Sequence, residues 1–391
     1  MNVEDFTVEV RDGDLVRRGQ LLPEDLSSAL FVPTMNDVGV WNLTLPHLTI
    51  DDRGRASEHE LCRILRTPGS GIVLTGPGGV HLSGPTESPH FVQSKQFPNG
   101  QWDILGVSDM HVIDDDVAYG DPATYDLNAQ ATANDTRSAL AETLIRQYVN
   151  ANIGPGAVSQ RRIAKLTLAS DSGRGPVRKK SPRFQPLLEL AQEILVGTNL
   201  VMDVVQVGTL LELRFRQQAD LTGPIRFDYE NGQLERSEYS NSVPALTEII
   251  VAGQEVGTAR KMRRRSVSTP WGRRRVRFLD QRHTDDNAEL DAAGDEALAE
   301  AAGEQTAFQI VPSLDLDLRL GVDYQLGDLV TVVIAGEEVP APISSTPIKF
   351  GTQAVTVGAT VGTPRGKTWE DLIDARQQGL ARRLSNLERS M

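Results

Sequence analysis

The sequence predicts a mainly β protein with α+β modules: two small β-barrel-like domains, an α+β insertion between them and a C-terminal helix. Three observations predict this. Short β-branched runs bounded by Gly, Pro and Asp turn signals recur toward both ends of the chain. Glycine (34) and proline (21) are frequent enough to punctuate many turns. Two stretches of helical periodicity stand together in the middle. At 391 residues the chain exceeds one simple core, so two to four domains are expected.

Residues 1–120 read as the first β domain. Phe6–Val10 and Leu15–Leu22 flank Asp12-Gly13-Asp14 as a hairpin. Asn36–Leu45 is an alternating strand with Val38, Val40, Leu43 and Leu45, and Trp41 between them. Glu58–Arg66 is a short helix. Gly76-Pro77-Gly78-Gly79 turns between Ile72–Leu74 and Val80–Leu82. Trp102–Val107 and Met110–Ile113 add further strands.

Residues 121–235 read as the α+β module. Leu140, Leu144, Ile145, Tyr148 and Val149 mark a helix over Asn134–Asn152, ended by Gly154-Pro155-Gly156. Leu187, Leu188, Ala191, Ile194 and Leu195 mark another over Arg183–Thr198. Between them Ser170–Ser181 is expected to be a mobile, exposed loop. Val201–Gln206 and Leu210–Phe215 form a hairpin through Gly208, and the two helices cover this small sheet.

Residues 236–366 read as the second β domain, with an Arg-rich hairpin and an acidic helix. Leu246–Ala252 is a strand, and Asp285–Gly303 is the Ala-rich acidic helix. Gly321–Gly362 is a scaffold of short strands: Leu329–Ile334 is β-branched, and Gly336 turns into Val339–Ser345. Pro340 and Pro342 suit an edge or bulge. Ile348, Phe350, Val355 and Val357 form a further strand pair. Residues 367–391 read as an amphipathic helix. Thr368 is a cap, and Ile373, Leu380, Leu384 and Leu387 lie along a short heptad seam that packs on its own barrel or on copies of itself.

Composition excludes several functions. A net charge of −13 argues against general nucleic-acid binding, which needs a basic surface. The single cysteine, Cys62, forbids an intrachain disulfide and reads as a buried neutral thiol. The N-terminus shows no signal peptide, and no run approaches the roughly 20 apolar residues of a membrane span. A product made in a cytoplasm is expected, with no membrane span.

No catalytic, cofactor or metal residues are predicted. The histidines show no i,i+4 pair, and Gly76–Gly79 lacks the Lys-Ser/Thr of a phosphate loop. Asp114, Asp115, Asp116 and Asp121 read as a solvated turn rather than a calcium loop. No nucleophile elbow is present. Trp41, Trp102, Trp271 and Trp369 are dispersed along the chain and do not suggest a sugar platform.

The basic segment Arg260–Arg282 stands out. Thr269-Pro270-Trp271-Gly272 reads as a turn between Arg263, Arg264, Arg265 and Arg273, Arg274, Arg275. Three readings stay open: cations paired within the chain to the acidic helix, an intersubunit contact in which guanidinium forks meet carboxylates, or the lining of a DNA channel.

The order of modules resembles the hub-type minor tail proteins of siphoviruses infecting actinobacteria. The residues are Val38–Pro46 (VGVWNLTLP), Pro68–Pro85 (PGSGIVLTGPGGVHLSGP), Tyr148–Ala157 (YVNANIGPGA) followed by Arg161-Arg162, Tyr324–Val332 (YQLGDLVTV) and the terminal helix. The resemblance runs from Asp37 to Gly362. It extends to the N-terminal hub modules of tail-associated proteins and to contractile-tail and type VI spike hubs. It implies a non-enzymatic homotrimeric baseplate hub at the virion tail tip. Two β-barrel-like domains per subunit would form a ring around the DNA channel, which DNA crosses without sequence-specific binding. The implied partners are the distal tail protein ring, the tape measure protein and tail-tip or receptor-binding proteins. Related proteins often continue into a fibre or a wall hydrolase, whereas this sequence stops after one helix. The competing readings are a tail-associated cell-wall hydrolase and a carbohydrate-binding receptor module.

Overall fold

The computed structural model describes residues 5–362 except 23, 24, 27, 51–53, 229, 231–233, 243, 269–271, 283, 302–304, 313–317, 335 and 352–354. The expected helix at 367–391, with Ile373, Leu380, Leu384 and Leu387, lies outside the described residues, as do Thr269, Pro270 and Trp271. The chain divides into one unit of residues 1–237 with 310–361 and a second of 238–309 with 362–391. It passes between them within the strands Leu234–Ser242 and Gln305–Pro312. The architecture is mainly β with an α+β module.

The first unit is built on a nine-stranded sheet. Its order is Arg17–Leu21, Thr7–Arg11, Gly71–Gly76, Gly79–Val92, Gln101–Val107, Val40–Pro46, Ser28–Val32, Ile348–Phe350 and Val355–Val357. All neighbours are antiparallel. Both N-terminal hairpins form as the turn signals predict. The pair around Gly351 also forms, but it extends the N-terminal sheet: Ile348 lies opposite Phe31. Met110–Ile113, expected as a strand, instead contributes to the one-turn helix His111–Asp114. Met110, Val112 and Ile113 are all buried, a pattern that one side of a strand cannot satisfy.

The sheet curls. The long strand Gly79–Val92 pairs with Gly71–Gly76 up to Pro85 and with Gln101–Val107 from Thr86, with a bulge between Thr86 and Ser88. Bulges bend a strand and steepen its twist. The Phe350 ring lies 5.6 Å from Phe31 and 6.4 Å from Phe6, so distant parts of the sheet meet over one apolar interior. Trp41, Leu43 and Leu45 alternate into that interior, while Val40 faces out. Trp41 sits directly opposite Gly106. A Cβ at position 106 would stand 2.2 Å from the indole, so only glycine leaves it room.

The α+β module packs against this sheet in the same unit. Leu200–Val207 and Leu210–Gln217 pair antiparallel, and Leu166–Leu168 adds a parallel strand. The helices Ala141–Asn152 and Leu187–Leu195 cover them, the first shorter than expected because Arg137–Leu140 is a strand paired with Val177–Lys180, the second because Gln185–Pro186 pairs with Val117–Ala118. One core joins Leu144, Tyr148, Ile194, Met202 and Leu213 to Leu15, Met110 and Ile113 of the N-terminal region. In a further, six-stranded sheet, Arg226–Phe227, Leu329–Ile334, Glu337–Ser345 and Ala359–Gly362 lie next to one another in that order. Pro340 and Pro342 lie on its proline-bearing strand opposite Thr331 and Leu329. That strand meets Ala359–Gly362 only at Ile343 and Ser345, across an irregularity, so its proline half has one strand neighbour.

Two buried ionic groups fix the first unit. Arg11 donates to Asp109 at 2.6 and 2.8 Å and to Gln206 Oε1 at 3.1 Å. Ser83 donates to Asp109 at 2.6 Å and accepts from the Gln206 amide at 2.8 Å. Arg11 and Asp109 are almost fully buried. Glu142, also buried, holds Arg174 through both carboxylate oxygens and caps the amides of Ser172 and Arg174. The segment Ser170–Ser181 is therefore pinned, not a free loop. Burial alone would raise the Glu142 carboxyl, but the Arg174 hydrogen bonds and the two amides outweigh it and bring it down to about 2.

Two outcomes follow. Arg11→Met leaves the Asp109 carboxylate buried without its cation, so a loss of about 3–5 kcal/mol is expected in urea unfolding. Adding Asp109→Leu restores part of that loss; a single variant as stable as wild type contradicts the assignment. Glu142 has a folded pKa near 2 against an ordinary 4.5. Its stabilisation is thus complete above about 4.5 and is lost as pH falls toward 2. The stability gap between wild type and Glu142→Gln should narrow over that range when thermal midpoints are compared.

Candidate functional site

The second unit shows what the arginine segment does. Met262–Ser266 and Val276–Asp280 do not pair with each other, so the expected hairpin is corrected. Both flank Glu248–Ala252, the former antiparallel and the latter parallel. The reason lies in the residues. Glu248–Ala252 reads EIIVA and suits a central strand, whereas charged strands suit edges, where arginine side chains reach solvent.

The register sorts the cations by face. Arg263 lies beside Val251 and Arg265 beside Ile249. Ile249 and Val251 pack on Leu290 and Leu298 of the helix Asn287–Ala301. Gly294 stands between those leucines, where a Cβ would come within 2.7 Å of the Arg265 side chain, so glycine admits the arginine under the helix. Arg263 Nε donates to Asp291 at 2.7 Å, and Arg265 donates to both oxygens of Asp295 at 2.6 and 2.7 Å. Such forked pairs fix geometry as well as charge.

Arg264 falls on the opposite face. Its Nε lies 3.1 Å from Glu248, which also takes two bonds from Arg274 at 2.7 and 2.8 Å. Arg275 donates to the Pro244 carbonyl at 3.0 Å. No hydrogen bond or ion pair of the Arg273 side chain occurs among the described residues. The Arg274 hydrogen bonds hold Glu248 below the usual carboxylate range, and Arg263 does the same to Asp291. Arg263, Arg265 and Arg274 are raised in turn by their bonds to Asp291, Asp295 and Glu248. Pairing within the chain thus engages Arg263 and Arg265 with the acidic helix and Arg264 and Arg274 with the central strand. Of the remaining predicted residues, Ile373, Leu380, Leu384 and Leu387 lie outside the described residues.

A cavity of about 250 Å³ lies in the first unit between Pro77–His81, Val201–Asp203, Arg214–Arg216 and Gly321–Leu326. Gly321, at φ 83°, packs against Pro77 in its wall: a Cβ there would stand 1.7 Å from the Pro77 oxygen. Arg214 sits 3.2 Å from Asp203, whose carboxyl burial pushes up. His81 Nε2 is 2.9 Å from the Pro77 oxygen, and burial lowers its imidazole. The lining offers one carboxylate and one imidazole. Glycoside hydrolysis uses a carboxylate pair, and acyl transfer a nucleophile beside its base. The lining hydroxyl, Thr34, donates to its neighbour Val32 at 3.3 Å.

The other singled-out residues serve local structure. His59 caps the helix Glu60–Leu65 by accepting from the Cys62 amide, and His47 accepts from the Trp102 indole. His111 pairs with Asp115. Cys62 is buried, and burial pushes its thiol up to about 11. Asp121 caps the amides of Ala123 and Ala131. No group of His, Cys, Asp and Glu suited to a metal occurs among the described residues. No helix among them is long and apolar enough to cross a membrane. Sequence reading missed Arg11, Asp109, Ser83 and Gln206. The only signal for Arg11, Ser83 and Gln206 was polarity within apolar strands, and Asp109 lies in the turn after one.

The family described as Siphovirus ReqiPepy6 Gp37-like protein matches residues 7–363. Among solved structures, the chain is similar to the 43 kDa tail protein of prophage MuSo2 from Shewanella oneidensis. That match has 10% identity and a TM-score of 0.54, covering 91% of this chain and 98% of that one. It is similar to a tail protein from Neisseria meningitidis MC58, at 12% identity and TM-score 0.52, covering 92% and 97%. It is similar to the prophage tail protein gp18 from Listeria monocytogenes EGD-e, at 13% identity and TM-score 0.50, covering 96% and 99%. These likenesses show a shared fold. A search of the curated proteins found no match.

The two arginine faces are separable by experiment. Arg263→Ser with Arg265→Ser should speed amide hydrogen exchange in the helix Asn287–Ala301, because both anchors of its acidic side are lost. Arg264→Ser should leave that exchange unchanged. Equal effects would contradict the division.

Proposed function

This chain belongs to the Siphovirus ReqiPepy6 Gp37-like protein family, and from that premise we propose that it is a structural component of a phage tail tip. In this reading it is a baseplate hub of three copies on the tail axis, surrounding the channel that DNA crosses. It contacts the distal tail ring above, the tape measure protein within and tail-tip or receptor-binding proteins below. The chain acts by shape and contact and breaks no bond.

One observation supports this above the others. The fold matches three tail proteins, two of them from prophages, over more than nine-tenths of both chains, so the likeness extends beyond one recurrent domain. The interior agrees with a scaffold role. Its buried ionic groups tie strands to helices, and its cavity lacks a carboxylate pair. A dense group of exposed arginines lies on one small sheet. A closed ring requires two different, complementary patches on each copy. The arginine strands are a basic patch on a chain whose net charge is −13.

The reading is tested on purified virions and purified chain. Quantitative mass spectrometry of virions should find the chain at three copies per particle. Zymography on host cell walls should show no clearing. Absence from virions, or clearing that survives further purification, would overturn the proposal; clearing would favour the wall-hydrolase reading.

A further inference from the structure

We infer that the outer face of the three-stranded sheet, turned away from the helix Asn287–Ala301, is a docking surface for the acidic surface of a second copy of this chain. The inference rests on the ring proposed above and adds which face makes the contact. The register defines the face: Arg264, Ile250 and Phe278 form one row across the three strands, and Met262, Ala252 and Asp280 the next. Phe278 is 55% exposed, Val276 two residues along the same strand is also exposed, and Met262 is 53% exposed across the central strand, on a sheet that is covered on its other side. Large apolar side chains clustered on a sheet face mark an interaction site more often than scattered ones do.

Charge selects the occupant. The segment 260–282 holds ten arginines and lysines against one aspartate, Asp280. On the outer face two guanidinium groups, Arg264 and Arg274, share the single carboxylate of Glu248, so the rim keeps excess positive charge. Two copies meeting through this same face would bring like charges together, which excludes a two-fold contact. The net charge of −13 means that the rest of each copy is more acidic still. A head-to-tail contact, basic face on acidic surface, uses both and is the kind that closes a ring. Arg263 and Arg265 take no part, because the chain's own helix occupies them. The apolar centre supplies burial, and the arginine rim supplies register and salt-dependent encounter.

The test is sedimentation velocity of the full chain over a concentration series at low and high salt. Wild type should associate, more weakly at high salt as rim charges are screened. Phe278→Ser with Met262→Ser should raise the concentration needed for association by about ten-fold or more. Arg264→Glu with Arg274→Glu should abolish association while leaving the thermal midpoint of the first unit in place. A wild-type chain that stays monomeric, or a folded variant that associates as wild type does, overturns the docking face. Phage assembled with each variant separates the two ideas. Normal incorporation of the Phe278→Ser, Met262→Ser chain removes the docking face alone. Absence of the wild-type chain from virions removes the functional reading itself. Loss of the variant from virions while wild type is monomeric in solution overturns the second-copy contact in favour of another tail protein.

Discussion

The first unit depends on one charge pair taken out of water. Arg11 is on an N-terminal strand, Asp109 follows the last strand of the first domain, and Gln206 belongs to the hairpin of the α+β module. Removing either charge from solvent costs several kcal/mol before any contact forms, so the pair is tolerated only with its remaining valences filled. Here Ser83 and Gln206 fill most of them, and the Arg11 Nε has no partner among the described residues. An apolar replacement of equal shape would hold the sheet as well. The ionic version adds selectivity, because only one alignment of sheet and hairpin satisfies the carboxylate. Glu142 repeats the logic inside the module, where a single buried carboxylate sets both the course of Ser170–Ser181 and the seat of the helix Ala141–Asn152.

The second unit uses charge differently. Its arginine pairs are largely exposed, and exposed pairs contribute little stability in water. They orient instead. Arg263 and Arg265 aim the acidic helix at one side of the sheet, and Gly294 lets it lie close. The other side is left with apolar side chains and surplus cations. In the proposed hub, surfaces that differ from one another would let copies add in one sense around an axis.

Much of this was legible in the sequence. The turns at Asp12-Gly13 and Gly76–Gly79, the hairpin through Gly208 and the apolar stripes of the middle helices all rest on local spacing, and local spacing is what a sequence displays. What was not legible is order in space. Nothing adjacent to Ile348 says that it will sit beside Phe31. Nothing adjacent to Arg264 says that Ile250 will lie between it and Phe278. Arg11 and Asp109 carry no local sign of burial, because the partners that justify it are remote in the chain. Met110–Ile113 was misread for a related reason: a short apolar run gives no period, and the core that wraps it decided between strand and turn of helix.

The most direct measurement of the account is a density map of the virion tail at a resolution that traces the chain. The account predicts three copies around the tail axis, each with the nine-stranded sheet described here and its basic sheet face pressed on a neighbour. A map that places the chain away from the axis, or that shows a substrate held among aligned acid and base groups, would contradict it.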